Sequence, residues 1–244
     1  KILAGIIGAD PLLTGNVLKI ANSPLFGLRS AISSLEQAIG ILGLTNLKTL
    51  LYTEMLERAA AKTGLAPHLR HGLFAHLGKT AVMARHIAPA FVGLDPGSLQ
   101  TLGIMHDIGR LALYGPGEQA FLADSQAEQR AYGVDHAVAG WAVCGGFDLP
   151  AELCHGVRLH HAPLVVEMED LVDAGVGAIR YGLAVCLADQ LVRALEAGDP
   201  VAPRPVRASY RFLVHETVLF RLVDDAALHK ELRQTLAMLL VTAH

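Results

Sequence analysis

Histidine and aspartate side chains in the middle of the sequence carry the chemistry of a metal site. The pair His106-Asp107 follows the apolar run 102–105, and Gly109 comes two residues later. Where a helix ends, an imidazole nitrogen and a carboxylate oxygen on neighbouring residues can approach one cation from two sides, and glycine readily ends a helix. A carboxylate beside such a histidine can also bridge two divalent ions, an arrangement that activates water against phosphoesters. The pair is therefore a candidate metal site.

Two further ionisable side chains lie in apolar sequences that predict helices. His76 is at the centre of Leu-Phe-Ala-His-Leu, and Asp189 lies in Val-Cys-Leu-Ala-Asp-Gln-Leu. Burial of an imidazole or a carboxylate without a partner is costly, so each of them needs one. Together with His106 and Asp107 they form the order H…HD…D, and we predict that the four side chains converge on one divalent ion. The alternative is a buried polar network that ties helices together without an ion.

Three more of the twelve histidines form a second group of candidate ligands. His136 follows Asp135, an expected N-cap, and His160 and His161 precede an Ala-Pro pair at a predicted helix end. We count all three histidines among the candidate metal ligands. The alternative for His160 and His161 is helix capping, because cationic side chains are favoured near helix C-termini.

The elements that must position these residues are predicted to be helices. Apolar residues recur with helical spacing, and alternation of the β type hardly extends beyond four residues, so the expected fold class is all-α. The predicted helices span about 10–22, 33–42, 45–61, 67–87, 96–107, 117–131, 136–145, 150–160, 175–197 and 207–243, the last with a break near residue 224. Residues 62–66 and 198–205 are the predicted joints.

Composition excludes several classes of function. With 52% hydrophobic and 18% charged residues the chain must bury a core, which excludes disorder. A net charge of -3 creates no field that attracts nucleic acid or anionic lipid, so neither is expected as a partner. The three cysteines form no Cys-x-x-Cys motif and fit a reducing compartment, from which we expect a cytoplasmic protein. No apolar stretch reaches the roughly 18–20 residues of a membrane span.

Five short motifs occur along the chain in an order that is typical of a known family. They are Asn-Ser-Pro-Leu-Phe-Gly at 22–27, Ile-Ser-Ser-Leu-Glu-Gln-Ala-Ile at 32–39, Met-His-Asp-Ile-Gly-Arg-Leu at 105–111, Gly-Val-Asp-His-Ala at 133–137 and Ala-Asp at 188–189. Over nearly its whole length the chain resembles an HDOD domain, the HD-related output domain of bacterial signalling proteins. The first motif carries most of the weight, because a catalytic HD hydrolase has no reason to contain it.

The resemblance implies both an architecture and a function. The architecture is two packed helical lobes: an N-terminal lobe at 1–64, an HD-like helical core at 65–197, and C-terminal helices at 198–244 that pack on the core. The function is a signal-transduction output or regulatory module that binds a protein partner, within the C-terminal part of a larger sensor or response-regulator protein.

A metal-dependent phosphohydrolase is the rival hypothesis. In it a divalent ion, Fe, Mn, Zn, Ni or Mg, is held by the candidate ligands, Asp107 is catalytic, and Arg110 neutralises the substrate phosphate. Compared with the related HD-GYP phosphodiesterases, Arg110 replaces the usual lysine, and Gly72 stands where some members add a glutamate ligand. The Gly-Tyr-Pro motif is absent after His161. Metal binding is therefore expected more firmly than hydrolysis.

Three further expectations concern the packing of apolar side chains. Trp141 is predicted to be core. The tip of the loop 22–27, Leu25-Phe26, is predicted to dock onto the HD-like lobe, and the alternative is another protein. A ridge of helically spaced leucines is also predicted to be core. It consists of Leu47, Leu50, Leu51 and Leu56.

Overall fold

The structure, a computed structural model, describes residues 2–23, 26–171, 173–197 and 206–223. These residues form α-helices, short 3-10 turns and loops but no strand, which confirms the all-α fold class. The helices are α1 (Ile2–Gly8), α2 (Pro11–Ala21), α3 (Leu35–Ala60), α4 (Pro67–Ile87), α5 (Pro96–Met105), α6 (Arg110–Leu113), α7 (Ser125–Tyr132), α8 (His136–Gly145), α9 (Ala151–Leu159), α10 (Ala162–Val165), α11 (Val176–Ala197) and α12 (Glu216–Val223).

Aspartate caps begin several of these helices. The carboxylate of Asp95 accepts the amide of Ser98 at the start of α5, and Asp135 accepts the amide of Val138 at the start of α8. A side-chain cap of this kind stabilises a helix by about 1 kcal/mol. Because α5 ends at the His106-Asp107 pair and α8 begins with a candidate ligand, both caps help to fix the site.

The long helix α3 is interrupted at Gly43. This residue has φ 71° and ψ 163°, a conformation open to glycine and strained for other residues. The sequence predicted a helix end here, and the structure shows a kink from which the helix continues to Ala60. The same helix therefore contributes to two apolar clusters.

The two apolar clusters lie at the two ends of α3. Leu47 and Leu50 belong to a small cluster with α1 and α2, whereas Leu56 belongs to the large cluster around α4, α5, α9 and α11. These three ridge leucines are buried, as predicted, and Leu51 is half-buried. The division into lobes at residue 64 stays a prediction.

The structure corrects the predicted helix at 117–131. Only α7, from Ser125, is helical, and Gly117 has φ 95° in the preceding loop. The run Gly-Pro-Gly at 115–117 favours a turn, and Asp124 caps the helix that follows by accepting the amide of Ala127. The short helices α1, α6 and α10 were not predicted. Of the predicted helix 207–243, a 3-10 turn at Ala208–Leu213 and α12 are observed, while 198–205 and 224–244 lie outside the described residues.

Two packing expectations were wrong. Trp141 is 37% exposed, because its ring lies on the surface of α8 beside His155, under the guanidinium of Arg158. Phe26 packs against the small N-terminal cluster and not against the large one, whereas Leu25 lies outside the described residues. Its loop is tied by Asn22, whose side chain both donates to and accepts from the backbone of Ile32.

Among the described helices, none is by itself long and apolar enough to cross a bilayer. Taken together, α1 and α2 satisfy the length and composition for one, but the chain bends by 118° between them.

Candidate metal centre

All seven predicted ligand residues lie in one part of the large cluster. The helices α4, α5, α9 and α11 pack on one another, and α8 packs on α9. We call one group of side chains the first subsite and the other the second subsite, and Asp107 belongs to both. The first subsite consists of His76, His106, Asp107 and Asp189; the second consists of Asp107, His136, His160 and His161.

The first subsite joins three helices. His76 on α4 has its Nε2 2.8 Å from Oδ1 of Asp189 on α11, and that oxygen is 3.9 Å from Nε2 of His106 at the end of α5. Nε2 of His106 lies 3.8 Å from Oδ1 of Asp107. In this subsite, one ligand atom from each of His76, His106 and Asp107 can be chosen so that all lie within 4.8 Å of one another.

The second subsite is assembled around the same aspartate oxygen. Oδ1 of Asp107 is 3.0 Å from Nε2 of His136 and 3.5 Å from Nε2 of His160. Nε2 of His136 is 2.8 Å from Nε2 of His161. His136 is the first residue of α8, and the other two histidines form the junction between α9 and α10. The sequence thus predicted residues that the fold brings together, while their role as metal ligands stays a prediction.

The second nitrogen of three histidines is held by the protein. Nδ1 of His106 donates to the carbonyl of Gly103 at 2.8 Å, and Nδ1 of His160 donates to the carbonyl of Val157 at 2.6 Å. Nδ1 of His136 pairs with the carboxylate of a buried glutamate. Such partners fix the orientation of the rings and leave Nε2 as the nitrogen that would bind a metal ion.

Three buried electron-pair donors meet at the centre: Nε2 of His106, Oδ1 of Asp107 and Nε2 of His160. Among the described residues neither nitrogen has a hydrogen-bond partner, and Oδ1 of Asp107 faces imidazole nitrogens, the nearest being Nε2 of His136 at 3.0 Å. Leaving a buried polar group unsatisfied costs about 1–3 kcal/mol, and more for a charged group. Imidazole nitrogens and carboxylate oxygens of this kind are common ligands of divalent transition metals. The residues present therefore fit a divalent ion.

Glu128 is a functional residue that the sequence analysis missed. It is fully buried, and its carboxylate accepts from the backbone amide and Nδ1 of His136 and from the hydroxyl of Tyr114. Its helix α7 is otherwise polar, so no apolar context in the sequence marks this carboxylate as buried. Glu128 orients His136 and is a positioning residue.

Arg110 has a different set of contacts from the one predicted. Its side chain is buried, Nε donates to Oδ2 of Asp107 at 2.9 Å, and Nη1 donates to Glu128 at 3.2 Å. The guanidinium also lies over the ring of Phe121. The predicted contact with a substrate phosphate stays untested, and the observed contacts make Arg110 a positioning residue for Asp107.

Arg193 is a second residue that the sequence analysis missed. It lies on α11 one turn after Asp189, and its Nε donates to Oδ1 of that aspartate at 2.8 Å. Its side chain is 51% exposed and stands at the edge of the centre. The spacing of four residues on one helix was a signal that could have found it.

Burial controls the protonation of two of the histidines. It lowers the pKa of His106 to about 3, and it holds the pKa of His161 well below its usual value, an effect to which His160 and His136 add. These rings are therefore neutral at pH 7, which is the form that binds metal.

The pKa values of Asp107, Asp189 and His136 are set by burial and by their charged neighbours. Burial opposes ionisation of Asp107 and Asp189, but neighbouring imidazoles and arginines outweigh it and lower the pKa of both carboxyls. Burial also opposes charge on His136, but Asp107 and Glu128 outweigh it and raise the pKa of His136 to about 9. Without a metal ion, His136 therefore holds a proton between these two carboxylates.

Gly109 allows the loop after the His106-Asp107 pair to approach α8. A side chain here would overlap the carbonyl oxygen of His136 and the amide nitrogen of Gly140. Only a residue without Cβ fits at this distance from another backbone. The glycine of the motif therefore brings Asp107 against the start of α8.

We expect Gly109→Ala to destabilise the protein by about 1–3 kcal/mol or more, because neither backbone can yield without moving a ligand. The measurement is urea unfolding followed by circular dichroism. Gly115→Ala is the matched control, because a Cβ there meets nothing within 4 Å. An equal stability of the two variants would contradict the close approach seen at Gly109.

The centre borders an open cleft. The cleft has a volume of about 1290 Å³, and its lining includes His136, His161 and Asp189 of the centre and the side chains of Arg158 and Arg193. Apolar residues of α10 form another part of the wall. A ligand that carries a negative charge can therefore reach His161 and Asp189, one residue of each subsite, from the cleft.

The chain belongs to the HDOD family. The family model of the HDOD domain matches residues 1–163, which include the N-terminal helices, the His-Asp motif and His136, His160 and His161. A comparison with curated proteins found no match.

Similar solved structures share the fold. An HDOD domain protein of unknown function from Geobacter sulfurreducens is 24% identical with a TM-score of 0.61, covering 99% of this chain and 80% of its own. A protein from Shewanella amazonensis, provisionally named a phosphohydrolase, is 19% identical with a TM-score of 0.63, covering 98% and 86%. Another from that organism, provisionally named a metal-dependent phosphohydrolase, is 16% identical with a TM-score of 0.51, covering 97% and 83%. At these identities the likeness establishes the fold alone.

Proposed function

We propose that this HDOD domain is a signalling regulatory module that carries a divalent metal ion in its HD centre and acts through contact with a protein partner. The observation that carries the metal part is the set of three buried electron-pair donors that converge at the centre, on His106, Asp107 and His160. Membership of the HDOD family supports the regulatory part. The residues that would hold the ion are those of the two subsites.

The chain's own residues prepare the centre to hold an ion. Glu128 and the carbonyls of Gly103 and Val157 orient three imidazoles, and Arg110 fixes Oδ2 of Asp107. A divalent ion bound there would supply a Lewis acid able to polarise a phosphoester or to lower the pKa of a water molecule. In a regulatory module, the residues that would hold this ion, at the ends of α5 and α9 and at the start of α8, would be tied together and would stabilise one surface for a partner.

Metal removal tests the structural part of this proposal. A ligand at about one hundred times its Kd stabilises the native state by about 2.7 kcal/mol, which for a chain of this size shifts Tm by roughly 5–10 °C. We expect the chelator-treated protein to melt lower by that amount and to recover when Mn²⁺ is added back. Asp107→Asn removes the charge of the carboxylate that both subsites share, so its Tm should respond neither to chelator nor to Mn²⁺. A Tm that does not respond to chelator or to Mn²⁺ would contradict a bound ion.

The partner is tested with the metal-loaded domain as bait. Proteins that copurify from the source organism are purified, and their affinity for the metal-loaded and the metal-free domain is measured by calorimetry. We expect binding that weakens when the ion is removed. Equal affinity of the metal-loaded and the metal-free domain would show that the partner surface does not depend on the metal centre.

A metal-dependent phosphohydrolase is the second candidate, and the open cleft favours it. The cleft gives access to His161 and Asp189 and contains Arg158 and Arg193, whose charges suit a phosphate group. The decisive experiment is hydrolysis of phosphomonoesters and phosphodiesters by Mn²⁺-loaded protein. The regulatory proposal expects no turnover above that of Asp107→Asn. Turnover that this substitution abolishes would establish the enzyme instead.

A further inference from the structure

Arg193 stands within the first subsite. Its Nε is 2.8 Å from Oδ1 of Asp189, and its Nη2 is 3.5 Å from Nε2 of His76 and 3.8 Å from Oδ2 of Asp107. One guanidinium therefore lies beside three of the four candidate ligands of that subsite. Only His106 has no recorded contact with it in the described part of the chain.

The two oxygens of Asp107 have different neighbours. Oδ2 accepts from Arg110 at 2.9 Å and faces Arg193. Oδ1 faces imidazole nitrogens, the nearest of them Nε2 of His136, and pairs with no lysine or arginine among the described residues. The carboxylate thus gives one oxygen to arginines and keeps the other for the second subsite.

An ion in the first subsite would meet a positive charge that is already there. A guanidinium and a divalent ion a few ångströms apart repel each other strongly in a partly buried site, where the effective dielectric constant is about 20. At the second subsite Arg110 bonds Oδ2 of Asp107 and Glu128, but among the described residues no lysine or arginine pairs with Oδ1 of Asp107 or with the imidazoles of that subsite. The two subsites are therefore not equivalent.

We propose that the domain binds one divalent ion, in the second subsite, and that the guanidinium of Arg193 takes the place of an ion in the first. This inference rests on the proposed metal function and specifies its stoichiometry. Two-ion hydrolases use the second ion to stabilise both the attacking and the leaving oxygen of a phosphoester. A centre in which arginine replaces that ion is suited to holding a structure and not to turnover.

The test is the number of Mn²⁺ ions bound per chain, measured by equilibrium dialysis and by electron paramagnetic resonance on the full chain. Wild type is expected to bind one ion with the spectrum of an isolated Mn²⁺. Arg193→Gln is expected to bind two ions, and its spectrum should show that the two are magnetically coupled. Arg193→Lys, which keeps the charge, should bind one, and so should Arg158→Gln, which removes another arginine of the same cleft.

The outcomes separate this inference from the function on which it rests. Two ions in wild type, or one ion in both Arg193→Gln and Arg193→Met, would overturn the role of Arg193 and leave the metal centre intact. The methionine variant keeps the aliphatic stem of the side chain and replaces the glutamine variant if that one does not fold. No ion in any of these proteins would contradict the proposed metal function itself.

Discussion

Asp107→Asn is expected to abolish binding of the divalent ion and to destabilise the protein. Asp107 is the residue common to both subsites, and its Oδ1 is the oxygen nearest to the imidazoles of His136 and His160. Without its charge, we expect metal affinity to fall on the order of 100-fold or more. The free energy of unfolding should fall by about 2–5 kcal/mol, because Arg110 and the histidines lose a buried partner.

Calorimetric titration with Mn²⁺ and urea unfolding measure the two effects on Asp107→Asn. Asp173→Asn is the control, since Asp173 is exposed and outside the centre. The structure would be contradicted if both variants bound Mn²⁺ as tightly as wild type. Loss of Mn²⁺ binding without loss of stability would show that the centre serves function and does not stabilise the fold.

Metal binding is expected to release a proton from His136. The pKa of this histidine is raised to about 9, so the ring carries a proton throughout the range below that pH. An ion that binds Nε2 must displace this proton, and the apparent affinity should therefore rise about tenfold per pH unit as the pH increases from 6 to 8. The rise should level off as the pH approaches 9, where the metal-free ring is already losing its proton.

Calorimetry in buffers with different ionisation enthalpies counts the protons released on binding. Close to one proton per ion is expected at pH 7 for wild type. In Glu128→Gln the carboxylate that helps to hold the charge is gone, so the pKa of His136 falls and fewer protons are released. A pH-independent affinity in wild type would show that His136 is not a ligand.

Part of the centre could be predicted from the sequence, because a buried ionisable residue is recognisable there by its apolar neighbours. His76 and Asp189 lie in strongly apolar helices, where an ionisable side chain needs a partner. The aspartate cap of α8, Asp135, was also predicted from its residue type. Local chemistry of this kind depends only on nearby residues.

The rest depends on packing between distant elements. Glu128 is buried although its helix is polar, because α7 packs against α8, and only the fold places its carboxylate beneath His136. Trp141 is 37% exposed although its neighbours in the sequence are small, because its ring packs on His155 and Arg158 at the surface of α9. The prediction of a helix at 117–131 was wrong for a local reason, because the run Gly-Pro-Gly at 115–117 favours a turn.

Anomalous X-ray diffraction from crystals soaked in Zn²⁺ tests the metal centre most directly, because nitrogen-rich sites bind Zn²⁺ more tightly than Mn²⁺ or Fe²⁺. The structure predicts a peak at the zinc edge about 2.0–2.2 Å from Oδ1 of Asp107 and from Nε2 of His136 and His160. An anomalous map with no peak between these three atoms, in crystals that bind Zn²⁺ elsewhere on their surface, would contradict it.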